Sequence, residues 1–150
     1  MTVFTGNKLG RYVIIGLQRG DLLLESIQKA LEETGIRDAI VTSGVAATSH
    51  MGWHHIGWTD AQPNDMMLET DGPMEVSGIG GLVLDGVPHL HCTFADHNRA
   101  WAGHLEAGCC IAYVGEITMI ELLDVDVERV ANMYGVKEIR PVQKQDHSAE

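Results

Sequence analysis

The chain has 150 residues, with 10 Lys or Arg against 21 Asp or Glu, so its formal net charge is −11. This length predicts one domain, and no apolar run reaches the roughly 18 residues that a membrane helix needs. The start lacks the basic-then-apolar pattern of a secretory leader, and the three cysteines form no CxxC motif. We therefore expect a cytoplasmic protein with buried, reduced cysteines and no membrane partner.

The first third of the chain predicts one strand and then one helix. The β-branched run from Arg11 to Leu17 predicts the strand. Gly20 and Asp21 open the helix, with Asp21 as its N-cap and Gly35 as its C-terminal stop. Apolar residues at helical spacing mark the face that we expect to be buried: Leu23, Ile27, Ala30 and Leu31.

After the helix, the pattern is mostly that of short strands separated by turn residues. The predicted strands are Ala39 to Thr42, Gly44 to Trp58, Met66 to Thr70, Glu75 to Leu84, Val87 to Ala95 and Ile111 to Leu123. Gly72-Pro73 predicts a break, and Asp85-Gly86 predicts a tight hairpin turn. Near the end, Val127 to Tyr134 predicts a short helix ending at Gly135, and Lys137 to Val142 predicts a last strand.

One early helix followed by many strands predicts the α+β class. We expect a single domain over residues 1–142, with a mainly antiparallel β-sheet flanked by one main helix and short helices. Residues 143–150 predict a polar C-terminal tail. A doubly wound parallel sheet is not expected, because strands and helices do not alternate regularly.

The stretch from Val87 to Leu105 carries the clearest chemical signal. Strand side chains alternate between faces, so His89 and His91 project from the same face and can share a metal ion. His104 follows Gly103, thirteen residues after His91. This spacing fits a strand, a turn and a second strand that returns beside the first, so His104 can supply a third ligand. Three histidines without a fourth ligand leave an open coordination position, which is typical of catalytic zinc, although another divalent transition metal is an alternative. The imidazoles could instead form hydrogen bonds in a core or line an interface.

A second histidine group precedes this stretch. On a strand, His50 and His54 share a face while His55 points to the opposite one. With Trp53 and Trp58 nearby, the group predicts a ligand-binding rim, an interface or a second metal site. A partly exposed aromatic surface is the simpler alternative.

Two carboxylates lie among apolar neighbours. Glu75 opens the run EVSGIGGLVL, and Glu116 lies in YVGEITMI. A carboxylate in a buried strand must be paired or functional. If either reaches the histidines, it is a candidate to orient an imidazole or to act as a general base. Alternatively, either one pairs with Arg11 or faces solvent.

In their order, these motifs resemble the plants-and-prokaryotes-conserved (PPC) domain family, from about Arg11 to about Leu123. The resemblance rests on Arg11, Gly20-Asp21, Ser43-Gly44, Glu75-Val76-Ser77, Gly81, Gly86 with His89-Leu90-His91, Ala95-Asp96, Gly103-His104-Leu105 and Gly115-Glu116-Ile117. It implies a single α+β domain, a homotrimer, and a metal site formed by the histidines at positions 89, 91 and 104. In plants, the family's domain follows a basic AT-hook in nuclear DNA-binding proteins.

The chain departs from the family pattern in three ways. It has no RGRP-type hook, Ala102 replaces the first glycine of the family's Gly-Gly-His-Leu motif, and the second histidine group is not a hallmark of the family. We therefore expect a stand-alone trimeric metal-binding protein, with zinc as the first expectation, that acts on or senses a small molecule. A DNA-binding regulatory module is the alternative, disfavoured by scattered basic residues and the net charge of −11. A structural interaction trimer is the third hypothesis for the function. Whether the protein is an enzyme is left open.

Overall fold

A computed structural model describes residues 1–142. Within them lie one helix and eight strands: β1 (Leu9–Gln18), α1 (Leu23–Thr34), β2 (Ala39–Ile56), β3 (Asp65–Leu84), β4 (Val87–Ala95), β5 (Ala100–Leu105), β6 (Cys110–Leu122), β7 (Val127–Ala131) and β8 (Lys137–Pro141). This is the α+β single domain expected from the sequence. No helix among the described residues has the length and apolar character that a membrane crossing requires. The predicted tail, residues 143–150, lies outside the described residues.

The main sheet is antiparallel and has the strand order β1-β6-β2-β3-β4-β5. It folds back on itself, because β5 pairs with β4 and also with the far end of β2. Strands β7 and β8 form a separate two-stranded hairpin. The folding back brings β2 next to the consecutive strands β4 and β5, which lie far from it in sequence.

The core lies on the inner face of the sheet, where α1 packs. Leu23, Ile27 and Leu31 of the helix are buried there, as the sequence predicts. The helix ends at Gly35 in the left-handed conformation, also as predicted. The predicted N-cap is wrong: the cap position is Leu22, and the carboxylate of Asp21 instead accepts a hydrogen bond from the Gln18 N–H.

Two pairs of predicted short strands are continuous. Strand β2 runs through residues 39–56, and β3 runs through the predicted break at Gly72-Pro73. The pairing shifts between Thr48/Met74 and His50/Asp71, so a bulge absorbs the proline, which has no N–H for the ladder. The Asp85-Gly86 hairpin is confirmed, because both residues have positive φ between β3 and β4.

The predicted short helix over residues 127–134 is wrong. Val127–Ala131 forms β7, which pairs with β8. The Asn132 side-chain oxygen accepts hydrogen bonds from the N–H groups of Tyr134 and Val136, and Gly135 has positive φ. These turn contacts favour a hairpin over a helix that would have been too short to be stable without packing. The last predicted strand is confirmed as β8.

Candidate functional site

Four histidines lie together on the outer face of the sheet, where β5 meets both of its neighbours. His104 on β5 lies opposite His91 on β4 and opposite His54 on β2. Residues directly opposite one another share a face, so these three rings form a row across three strands. His89, two residues before His91, joins the row, and the His89 and His104 ring centroids are 5.0 Å apart. The sequence-predicted triad is thus brought together.

The first possible ligand set is His89, His91 and His104. Their candidate ligand atoms all lie within 4.8 Å of one another, and the first two side chains are exposed. A tetrahedral zinc ion with Zn–N bonds of about 2.0–2.1 Å separates its nitrogens by roughly 3.4 Å. Small rotations of the two exposed rings would bring the ligand nitrogens from within 4.8 Å of one another to this separation. A donor set of three imidazoles suits zinc and other late divalent transition metals, so these residues fit such an ion.

The surroundings of the triad keep two of its rings neutral. Partial burial lowers the pKa of His89, with further lowering from the positive charge of Arg129 and from His91 and His54. Partial burial also lowers the pKa of His104, and His54 adds to the effect. A neutral imidazole is the form that binds metal. At neutral pH the lone pairs of these two rings are therefore available.

His54 is held by a carboxylate that the sequence analysis did not single out. Its Nδ1 is hydrogen-bonded to Oε1 of Glu106, and its ring stacks on His104 with centroids 4.4 Å apart. A carboxylate only accepts, so Nδ1 carries the proton. Glu106 follows His104 by two residues, and that alternate spacing was the available signal. His54, His104 and Glu106 form a second group with metal-ligand spacing.

Glycine at position 103 allows β5 to approach β2 closely. A Cβ atom there would lie 2.6 Å from the carbonyl oxygen of His54 and 2.7 Å from Cδ1 of Trp53. Trp53 is buried against Phe94 and Trp101 and cannot move away easily. The group that approaches Gly103 most closely is therefore the backbone of β2.

A cleft of about 1090 Å³ opens over the histidines. The loop between β2 and β3 lines the cleft with Trp58 and Asp60. The β7–β8 hairpin also lines it, with Arg129 and Lys137. Asp65, at the start of β3, also lines the cleft, 3.8 Å from Nε2 of His54. The cleft therefore combines apolar walls with charged groups around a floor of imidazoles.

The remaining members of the second predicted histidine group are placed apart from this floor. His50 pairs with the carboxylate of Asp71 at 2.8 Å and does not line the cleft. His55 lies at the rim, where its Nδ1 is 3.2 Å from the carbonyl oxygen of Ile56. Of the three histidines, His54 alone joins a group with metal-ligand spacing in the described part of the chain.

The two predicted carboxylates lie elsewhere on the outer face. Glu75 is exposed opposite Ala95, which is four residues, or about 13 Å of strand, from His91. Glu116 is exposed between Gly16 and Val45, on a strand three places from β4. Within one chain, neither is brought to the histidines. Arg11 pairs with neither, since its guanidinium binds Glu121 at 2.8 Å.

Comparison with solved structures shows the same fold in other organisms. A metal-containing protein from Archaeoglobus fulgidus is 22% identical, with a TM-score of 0.76 over 92% of this chain and 98% of that one. A PPC protein from Pyrococcus horikoshii is 25% identical, with a TM-score of 0.68 over 90% and 95%. A Bacteroides thetaiotaomicron protein named provisionally as DNA-binding is 19% identical, with a TM-score of 0.75 over 89% and 94%.

The family model of the Plants and Prokaryotes Conserved (PCC) domain matches residues 5–123. A search of curated proteins finds no match to the chain. The matched span covers β1 to β6 and all the histidines of the floor, whereas the β7–β8 hairpin follows it. The chain therefore belongs to the Plants and Prokaryotes Conserved domain family, written PPC above.

Proposed function

We propose that the protein binds one divalent transition metal ion per chain, zinc in the first instance, and presents it to a small molecule. The observation that carries this proposal is the set of three imidazoles at the floor of an open cleft, with ligand atoms within 4.8 Å of one another. The metal-containing relative from Archaeoglobus fulgidus supports it. His89, His91 and His104 are the proposed ligands.

The chain's own residues supply the rest of the site. Bound metal would contribute Lewis-acid polarisation of a ligand's oxygen atom. Glu106 fixes the His54 ring with the proton on Nδ1, so Nε2 can take or give a proton at the edge of the cleft. In this arrangement, Glu106 has the orienting role that the sequence predicted for Glu75 or Glu116. His54 lies beside the three ligands and is not one of them.

Zinc titration of single variants tests the ligand set. In competition with a chromophoric chelator, we expect one tight site per chain in the unaltered protein and at least a hundredfold weaker binding in His91→Gln. His54→Gln should retain the tight site. His97→Gln is the matched control, because His97 is an exposed turn residue that contacts Asn98 and belongs to neither group.

The same titration separates the two possible ligand sets. Loss of the tight site in His54→Gln together with full binding in His91→Gln would move the ion to the group of His54, His104 and Glu106. Tight binding in every variant would overturn the proposal. Circular dichroism of each variant checks that the fold is intact.

We further propose that the chain forms a homotrimer through the outer face of β1, β6 and β2. Tyr12, Ile14 and Val114 are 79%, 67% and 62% exposed on this face, where a single chain leaves them in water. Light scattering should give about three times the 16.4 kDa chain mass. Ile14→Glu should lower that mass, since a buried charge disfavours association. A single-chain mass for the unaltered protein would refute this part.

Nucleic acid is a weaker candidate as partner. The name of the Bacteroides relative favours it, but 21 acidic residues outnumber 10 basic ones in this chain. Binding through phosphate contacts strengthens as salt is lowered, so a mobility-shift assay at low salt is the sensitive test. We expect no shift.

We also propose a cytoplasmic location. The free cysteines Cys92, Cys109 and Cys110 support it.

A further inference from the structure

The β7–β8 hairpin brings a cation to the histidine floor. It begins after residue 123, where the family match ends, and it contributes Arg129 and Lys137 to the lining of the cleft. Both side chains carry positive charge into a chain whose net charge is −11. The hairpin thus lies outside the residues that the family model matches, and its charged residues reach the place where the ligand of the proposed site would lie.

Backbone contacts fix the position of the Arg129 guanidinium. Its Nη1 donates to the carbonyl oxygen of Val87 at 2.8 Å, and its Nη2 donates to that of Leu82 at 2.9 Å. Leu82 is the residue opposite His89 in the β3–β4 ladder, and Val87 precedes His89 by two residues. The guanidinium is therefore held beside the first proposed metal ligand.

The guanidinium keeps the capacity to bind an anion. An arginine has five N–H donors, and the two backbone contacts use two of them. Arg129 is half-buried, and burial alone lowers its pKa, with no contribution from a carboxylate of residues 1–142. A half-buried cation that has no acidic partner among residues 1–142 is costly, and a bound anion would offset that cost.

We propose that Arg129 recognises the oxyanion of a small organic acid, a carboxylate or a phosphoryl group, whose second oxygen function is directed to the metal. This inference rests on the proposed metal-binding function and deepens it by naming the ligand class. Val87, Pro88 and Val136 give the cleft apolar walls for the carbon skeleton. Asp60 and Asp65 also line the cleft, but they belong to the loop after β2 and to the start of β3, so the cations and the acids come from different elements.

The test uses cobalt(II)-loaded full-length protein, whose visible spectrum reports ligands entering the metal's coordination sphere. Glycolate is the probe, and glycolamide is its uncharged counterpart. We expect Arg129→Gln to weaken glycolate binding about tenfold or more, the loss typical of a removed charge-assisted hydrogen bond. Glycolamide affinity should stay within twofold, because that ligand does not use the charge.

The matched control is Arg140→Gln. Arg140 lies on the same hairpin, but it pairs with Glu138 and does not line the cleft. This variant removes the same charge and should bind glycolate as the unaltered protein does. Arg129→Lys keeps the charge without the forked donor geometry and should show an intermediate loss. It also keeps the test decisive if Arg129→Gln fails to fold.

The outcomes separate the two proposals. If the unaltered protein takes up no cobalt, the metal function fails and this inference fails with it. If cobalt binds normally but Arg129→Gln or, where that variant does not fold, Arg129→Lys leaves glycolate affinity unchanged, this inference alone is overturned. Methylphosphonate forms the second arm: tighter binding than glycolate assigns a phosphoryl ligand, and weaker binding assigns a carboxylate. Failure of both anions to bind the cobalt protein also overturns the inference.

Discussion

Replacing Gly103 with alanine should damage both the fold and the metal site. The added Cβ would lie 2.6 Å from the His54 carbonyl oxygen and 2.7 Å from Cδ1 of Trp53, roughly 0.7–0.8 Å inside ordinary contact at 3.4 Å. Neither neighbour yields easily, because one is strand backbone and the other is a tryptophan that is 4% exposed. Strand β5 must therefore move away from β2.

The cost can be estimated from core packing. Overpacking a well-filled site costs about 1–3 kcal/mol, and the smaller conformational freedom of alanine in the unfolded chain returns about 0.4–1 kcal/mol. The midpoints of these two ranges differ by about 1.3 kcal/mol, so we expect Gly103→Ala to lower the free energy of unfolding by about that amount. The displaced β5 carries His104, so zinc affinity should fall by at least tenfold.

Urea unfolding of the metal-free protein and zinc competition measure these two effects. Gly80→Ala is the control, because Gly80 lies opposite His91 and a Cβ there meets nothing within 4 Å. That variant should keep its stability and its zinc affinity. If Gly103→Ala instead matched the unaltered protein in both measurements, the close approach of β5 to β2 would not be what holds the histidines together.

Three further predictions concern single groups. Glu106→Gln should keep one zinc per chain but abolish the downfield NMR resonance of the His54 Nδ1 proton, since the carboxylate acceptor is gone. The metal-free protein should lose stability as the pH falls below about 6.5: the folded-state pKa values of His89 and His104 lie below this ordinary value, so the unfolded chain takes up protons first. Urea unfolding over pH 5–8 measures this loss of stability, which we expect only in the acidic part of the range, where the histidines titrate. Burial raises the pKa of Cys92 to about 12, so a thiol reagent at pH 8 should label it only after unfolding.

Each of these predictions has a contrary result. Loss of zinc from Glu106→Gln would make that carboxylate a ligand. A pH-independent stability between pH 5 and 7, or an unchanged slope in His104→Gln, would contradict the desolvation of the histidines. Labelling of native Cys92 as fast as that of Cys110, which is less buried, would contradict the packing of β4.

Local chemistry made much of the fold predictable from the sequence. The amphipathic pattern of α1 and the Asp85-Gly86 turn depend on neighbouring residues, and both were predicted correctly. The continuity of β3 through Pro73 was not predictable in the same way, because it depends on a bulge formed with a distant part of β2. The hairpin of β7 and β8 was missed because five-residue strands carry little periodicity, and its turn is fixed by side-chain contacts of Asn132.

In the candidate site too, local patterns predict some residues, and long-range contacts place the others. His89 and His91 share a face because of strand alternation, which is a local property. The return of His104 was predicted from the motif and its resemblance to the family. The placement of His54 and Arg129 depends on β2 meeting β5 and on the last hairpin reaching β3 and β4. No spacing in the chain encodes these long-range contacts.

The most direct test of the central claim is an X-ray structure of zinc-loaded protein with anomalous data collected on both sides of the zinc absorption edge. We predict one anomalous peak per chain, within about 2.0–2.1 Å of nitrogen atoms of His89, His91 and His104. A peak held by His54 and Glu106 without His89 or His91, or no peak at these histidines in crystals grown with excess zinc, would contradict the account.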